Sequence, residues 1–126
     1  DRLRLQPESK VICIERVRDM SGKPAIVEAI ILSAKRFSGL AKMPMDELPN
    51  TLYELYEEEY GVTIYQAEEY LSAVAADERD AKLLGVEPGH PLQQIDRLAL
   101  GVDRLPVEWR VSRCLTTRHR YLSVID

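Results

Sequence analysis

Two stretches of this chain repeat one pattern: a strand-like run rich in β-branched residues, a turn, and a second run that opens on a proline. In the first, Val11 to Asp19 reads VICIERVRD, Met20-Ser21-Gly22-Lys23 supplies the turn, and Pro24 to Ser33 reads PAIVEAIILS. In the second, Leu92 to Leu100 leads through Gly101-Val102-Asp103-Arg104 into Pro106 to Leu115. Each is a predicted β-hairpin. A proline is tolerated at the start of a strand, where its missing N–H costs a ladder bond only at the edge. The units also echo one another, Ile14-Glu15-Arg16-Val17 against Ile95-Asp96-Arg97-Leu98, and Pro24 with Glu28 against Pro106 with Glu108. In both pairs the glutamate stands an even number of residues from the proline, so in an unbulged strand it shares the proline's face. A chain built on two such hairpins is confined to a mostly antiparallel sheet in which the two carboxylates take related places.

The segments between and after the hairpins fill in the rest. Arg36 to Pro49 carries Gly39, Pro44 and Pro49 and reads as an irregular connection with one short helical turn. Asn50 or Thr51 can cap a helix that runs to Tyr60 and stops at Gly61, with Leu52, Leu55 and Tyr56 on its apolar face and Glu57 to Glu59 toward water. Val62 to Ala75 is a long strand, and strands of that length are usually bent or bulged. Asp77 caps a second short helix with Asp80 three residues on; Ala81, Leu83 and Leu84 form its expected buried side and Gly85 its end. Val86 to Pro91 makes a rigid turn, and Tyr121 to Ile125 is expected to close the sheet as a last strand. The predicted fold class is α+β, with a mostly antiparallel six-stranded sheet and two or three helices in the order ββαβαβββ.

Composition removes several function classes. At 126 residues the chain has the size of one domain, and its net charge of -4 lacks the basic excess that a duplex-binding surface needs. The longest apolar stretch, Ala29 to Ala34, is far shorter than the ~20 residues of a membrane-spanning helix. No signal-peptide pattern opens the chain, and Asp1 stands where an initiator Met would be expected, so it reads as a fragment. Cys13 and Cys114 lie in apolar runs without metal-ligand spacing and are expected as reduced core residues of a cytoplasmic protein.

The polar residues inside the strand runs are the candidates for chemistry. Arg16 and Arg18 share one strand face and continue the stripe of Ile12 and Ile14. Such a pair can grip a carboxylate or phosphate bidentately, or it can simply leave the core edge for water. Glu28 sits among Ile26, Ile30 and Leu32, a costly place for a carboxylate unless an arginine or a ligand hydroxyl meets it. Glu108, Arg110 and Ser112 alternate with Val107, Trp109 and Val111, which makes either a polar pocket wall or a solvated face. Thr51 at a helix start is an ordinary cap or part of an anion site. His90 and His119 have no nucleophile or metal-ligand partner at recognisable spacing, and nucleophile-elbow, phosphate-loop and dinucleotide fingerprints are missing. No catalytic residue, metal or cofactor is assigned.

Taken in order, ERVRDMSGKPAIVEA, then TLYELYEEEYGVTIYQAEEYLSAVAADERDAKLLGVEPGHPLQQIDRLAL, then LPVEWRVS resemble the UTRA domain of HutC-type GntR-family transcription regulators across essentially the whole chain. The resemblance is most specific from Leu52 through Pro91 to Arg97. It implies a chorismate-lyase-like fold, a non-enzymatic role, homodimerisation and an effector pocket beside the sheet. It also implies a winged-helix DNA-binding domain before Asp1, which makes residues 1–10 a linker remnant and residues 11–126 the effector-binding domain. The implied effector is a small, anionic metabolite of the sugar phosphate, amino acid or organic acid class, whose binding lowers operator affinity; DNA is reached only through the missing domain, and no membrane is involved. Carried over by position, Arg16 and Arg18 grip the effector's anionic group, Thr51 assists from the helix start, and Glu28 and Glu108 contact its polar groups, with Arg110 and Ser112 beside them. Cys114 and Leu105 depart from the pattern, which carries an aromatic and a small turn residue there. The alternative that the same fold allows is a chorismate-lyase-type enzyme acting on a small carboxylic acid.

Overall fold

The computed structural model describes residues 3–5, 9–44, 48–49, 51–117, 120–122 and 124–125. Both predicted hairpins form. Strand β1 (Val11–Met20) pairs antiparallel with β2 (Lys23–Ser33) through a two-residue turn in which Ser21 and Gly22 both have positive φ, 53° and 79°. Two successive left-handed residues match the right-handed twist of the flanking strands, and the glycine adopts that conformation without a Cβ clash. Strand β4 (Pro91–Gly101) pairs antiparallel with β5 (Pro106–Cys114), and Asp103 braces the intervening loop by accepting the Leu105 N–H at 3.0 Å.

Helix α1 (Leu52–Tyr60), strand β3 (Ile64–Ala75) and helix α2 (Glu78–Leu84) lie between the hairpins in sequence. The sheet order is β1-β2-β5-β4-β3, with every neighbouring pair antiparallel. The second strands of the two hairpins therefore lie side by side at the centre. The expected irregularity of β3 is a register shift between Ile64 and Gln66, and the expected helical turn in the connection is a 3₁₀ turn at Leu40–Lys42.

Three expectations are corrected. Among the described residues the sheet has five strands, because Tyr121, Leu122, Val124 and Ile125 join no ladder; Leu122, Val124 and Ile125 stand in solvent, Tyr121 reaches across the sheet to Glu69, and Ser123 lies outside the described residues. Leu83 is exposed, and Asp80 takes its place on the buried side of α2. The positions of α2 that face the sheet are Asp80, Ala81 and Leu84, a helical i, i+1, i+4 set, and the Asp80 carboxylate is paired with Arg113 of β5 at 3.1 Å. Cys13 is exposed on the outer strand β1 instead of buried, because Ile12 and Ile14 take the covered face; Cys114 is half-buried and both thiols are free.

Each helix closes a core on its own side of the sheet. The larger cluster packs Leu52 and Tyr56 of α1 with Phe37 and Leu40 of the connection on Ile12, Ile14, Ile30 and Leu32. The smaller one packs Ala81 and Leu84 of α2 on Val27 and Leu92. Thr51 has extended backbone at the start of α1 but its side chain makes no capping bond, whereas Asp77 accepts the Asp80 N–H at 2.7 Å. Gly61 ends α1 at φ 63°, as the sequence predicts. Asn50 and His119 lie outside the described residues. No helix among the described residues is long and apolar enough to cross a membrane.

Candidate functional site

Residues directly opposite on neighbouring strands point to the same side of a sheet, so the register places side chains in rows. On the α1 side, one row reads Arg18, Ile26, Cys114, Gln93 and the next Arg16, Glu28, Ser112, Ile95. The row after that reads Ile14, Ile30, Arg110, Arg97, Glu69. The last reads Ile12, Leu32, Glu108, Ala99. The sequence echo thus has a spatial counterpart: Glu28 and Glu108 stand on one face of the central strand pair, two rows apart.

Apolar residues of α1 and the connection cover the last two rows at the β1 edge, which leaves the charged groups sealed at their inner end. Glu108 is wholly buried: its Oε1 accepts Arg110 Nε at 2.9 Å, and its Oε2 accepts Arg110 Nη2 at 2.9 Å and the Tyr56 hydroxyl at 2.5 Å. Tyr53 of α1 lies with its ring 5.7 Å from the Arg110 guanidinium, a cation–π contact. Glu28 is 2% exposed and accepts Arg16 Nε at 2.6 Å and the Ser112 hydroxyl at 3.1 Å, with Arg110 Nη1 at 4.0 Å. Arg16 Nη1 also donates to the Pro49 carbonyl at 3.0 Å, which ties the connection to the sheet. Burial and the neighbouring Glu108 hold the Tyr56 hydroxyl far above its ordinary range. Burial alone would lower Arg110, but its bonds to Glu108 and the charges of Glu108 and Glu28 keep it charged and above its usual value. A bidentate pair of this kind fixes the guanidinium plane, and with it the direction in which its remaining N–H groups point.

The first two rows are open. There a cavity of about 250 Å³ has Arg18, Ile26, Glu28, Ile95, Arg97 and Arg110 on its floor, together with Gln93, Ser112 and Cys114. Leu115, Thr116, Arg120, Tyr121 and Leu122 of the chain end, with Met20 of the first hairpin, form its rim. Tyr121 donates to Glu69 of β3, which also accepts Arg97 Nε at 2.6 Å. Burial would raise the Glu69 carboxyl, but the bonds from Tyr121 and Arg97 outweigh it and hold the group below its ordinary range. Burial, and then the negative charge of Glu28, push the Cys114 thiol up, so it stays protonated at neutral pH. Among the described residues, Arg18 differs from the other floor arginines in having only a loose contact to a carboxylate, Nη1 to Glu28 Oε1 at 3.9 Å, and a side chain that is 32% exposed.

Of the residues singled out in the sequence, Arg18, Glu28, Arg110 and Ser112 come together on the cavity floor. Arg16 and Glu108 belong to the same network but sit behind it, and Thr51 is exposed at the start of α1, away from the cavity. Sequence reasoning missed Arg97, Gln93 and Ile95 as floor residues. The signal was available in the echo, which aligns Arg97 with Arg16, but only the sheet order brings β4 beside β5. Tyr121 was missed because a strand was expected there.

The UTRA domain family model matches residues 1–120. Among solved structures, a protein from Bordetella bronchiseptica described as the ligand-binding domain of a GntR-family transcriptional regulator superposes with a TM-score of 0.90 at 35% identity, covering 98% of this chain and 78% of that one. The C-terminal domain of Yurk from Bacillus subtilis superposes at 0.85 with 22% identity, covering 96% of this chain and 82% of that one, and at that identity shows the fold alone. PhnF from Mycobacterium smegmatis superposes at 0.84 with 25% identity over 92% of this chain; the match spans 50% of that protein. These relatives do not favour the lyase-type alternative.

Proposed function

Because the chain belongs to the UTRA family, the effector-binding domains of GntR-family transcription regulators, we propose that its floor cavity is the effector site of a HutC-type repressor. The effector is a small anionic metabolite, and the observation that carries this is Arg18: a guanidinium on the cavity floor whose near carboxylate among the described residues, Glu28, is 3.9 Å away and already bonded to Arg16 and Ser112. Arg18, Arg110, Ser112 and Glu28 contact the effector. Arg16 and Glu108 hold Glu28 and Arg110 in position from behind, and Thr51 sets the entry of α1, which lays Tyr53 and Tyr56 on the network.

The domain is not an enzyme and is cytoplasmic. It works as a homodimer, and residues 1–10 connect residues 11–126 to an N-terminal winged-helix domain that alone touches DNA. Effector binding shifts the dimer between geometries that fit and do not fit an operator, which requires different effector affinities in the two states. The match that spans half of PhnF is consistent with such a longer chain.

The test is a thermal-shift and calorimetric panel of sugar phosphates, amino acids and organic acids on this chain, followed by operator binding of the full-length regulator with the best binder. We expect saturable binding to the chain, weaker operator binding in the full-length protein, and loss of both responses in Arg18→Gln. A panel in which no anion binds, with the chain folded, overturns the reading.

A further inference from the structure

The two helices cover unequal parts of the sheet. Helix α2 has seven residues and packs at one end of the face opposite α1, on Val27 and Leu92. Beyond that end the register sets two further rows on the same face, Glu15, Ala29, Val111, Asp96, Tyr70 and Cys13, Ile31, Trp109, Leu98, Glu68. No residue of either row is buried, although six of the ten stand on the three central strands. The contrast with the α1 side runs residue by residue: Ile30, Ala99 and Glu108 are 0% exposed, while their strand neighbours Ile31, Leu98 and Trp109 are only half-buried. The chain seals a glutamate on one face and leaves its one tryptophan partly in water on the other, the reverse of what a face built for solvent carries.

The make-up of these rows says what lies against them. Ala29, Val111, Ile31, Trp109 and Leu98 form an apolar centre, and Trp109 Nε1 already donates to Asp96 at 2.9 Å, so the indole asks nothing polar of a partner. Glu15, paired with Arg79 of α2, and Tyr70, Cys13 and Glu68 stand on the edge strands and form the rim. An apolar centre within a polar rim is the anatomy of a protein interface. Two sheets packed face to face at ~10 Å interdigitate such rows. A second copy of this chain fits the geometry: about a two-fold axis lying across the strands, identical apolar centres meet, and each α2 falls past the open end of the opposing rows instead of holding the sheets apart. The amount of surface agrees. The accessible surface of 8595 Å² is about 1,800 Å² above the ~6,800 Å² that a folded monomer of 14.4 kDa exposes. The solvent-exposed Leu122, Val124 and Ile125 carry part of this excess, and a dimer contact of standard size, covering ~800 Å² per partner, removes an amount of the same order.

We infer that this open face is the dimer interface, two copies of the chain packing sheet against sheet through Ile31, Leu98, Trp109 and Val111. The inference rests on the homodimer reading above and assigns its contact, which is common to both operator-binding geometries; Cys13 and Glu68 stay at its solvent edge. The test is sedimentation of this chain over a dilution series, with the emission of Trp109 recorded at each concentration. We expect a dimer with a micromolar or tighter dissociation constant, and a red shift of the emission over the same range in which dimer mass is lost. Ile31→Glu and Leu98→Glu should each weaken the dimer by about a hundredfold or more, with the circular dichroism of the wild type, because neither side chain is sealed within a single copy. Leu71→Glu, exposed on edge strand β3 and on the α1-side face, should leave the dimer unchanged. A dimer that survives both face variants, that dissociates without a change in Trp109 emission, or that only Leu71→Glu breaks overturns the inference and leaves the homodimer reading standing. A chain that is monomeric at every concentration overturns both.

Discussion

Replacing Glu108 by leucine removes the acceptor that holds two buried polar side chains of the α1 side, Arg110 and Tyr56. The carboxylate is wholly buried and uses both oxygens, on Arg110 and on Tyr56. Without it, the Arg110 guanidinium is left with the Glu28 carboxylate at 4.0 Å, and the Tyr56 hydroxyl is left inside the core. Removing one partner of a buried pair costs ~3–5 kcal/mol, and an orphaned buried hydroxyl a further ~1–3 kcal/mol. Leucine recovers part of this through apolar burial and Glu28 takes part of the charge, so we set the net loss at about 4 kcal/mol. With an unfolding entropy of ~2.1 cal/mol/K per residue, that loss lowers Tm by roughly 15 °C for a domain of this length. Urea titration and thermal melting by circular dichroism measure both quantities. The triple variant Glu108→Leu, Arg110→Met, Tyr56→Phe removes every orphan together and should return to within about 2 kcal/mol of the wild type. A single variant within about 1 kcal/mol of the wild type, or a triple variant as unstable as the single, would refute the reasoning.

Three further outcomes are expected. The lowered Glu69 carboxyl contributes stability above the unfolded carboxylate value of ~4.3 and loses it as pH falls through the lower folded value, so the Tyr121 contact should release only below the ordinary carboxylate range, seen as averaging of the Tyr121 ring signals by NMR; release already well above that range would contradict it. Cys13 should react with a thiol reagent well before Cys114 at pH 8, and a bound effector should slow Cys114 further while leaving Cys13 unchanged; mass spectrometry of the labelled peptides reads both rates. Gly61→Ala, at φ 63° with open space around the new methyl, should cost about 1 kcal/mol through the backbone alone, and a loss above about 3 kcal/mol by denaturant titration would mean that a contact was missed.

The parts of the fold that sequence made legible are those with local physical causes. The hairpins follow from β-branched runs around Ser21-Gly22 and Gly101 to Arg104, and the helix ends from Asp77, Gly61 and Gly85. What stayed hidden depends on long-range placement. Leu83 and Asp80 are distinguished by Arg113 arriving from β5, and Cys13 by the edge position of β1. The chain end looked like a strand because its apolar residues suggested a ladder, yet its described residues join none. At the site, polar residues within apolar strand runs pointed to side chains that the structure brings into one network, but spacing could not tell Arg18, which faces the cavity, from Arg16, which Glu28 and the Pro49 carbonyl occupy.

The central claim is that an effector occupies the floor cavity on the α1 side of the sheet, and isoleucine methyl NMR reads that location residue by residue. With the tightest-binding anion of the panel titrated into methyl-labelled chain, the signals of Ile26 and Ile95 should move together and saturate, whereas Ile31, on the opposite face beside Trp109, should not move. Saturable shifts at Ile31 with Ile26 and Ile95 unmoved would place the effector elsewhere and contradict the account.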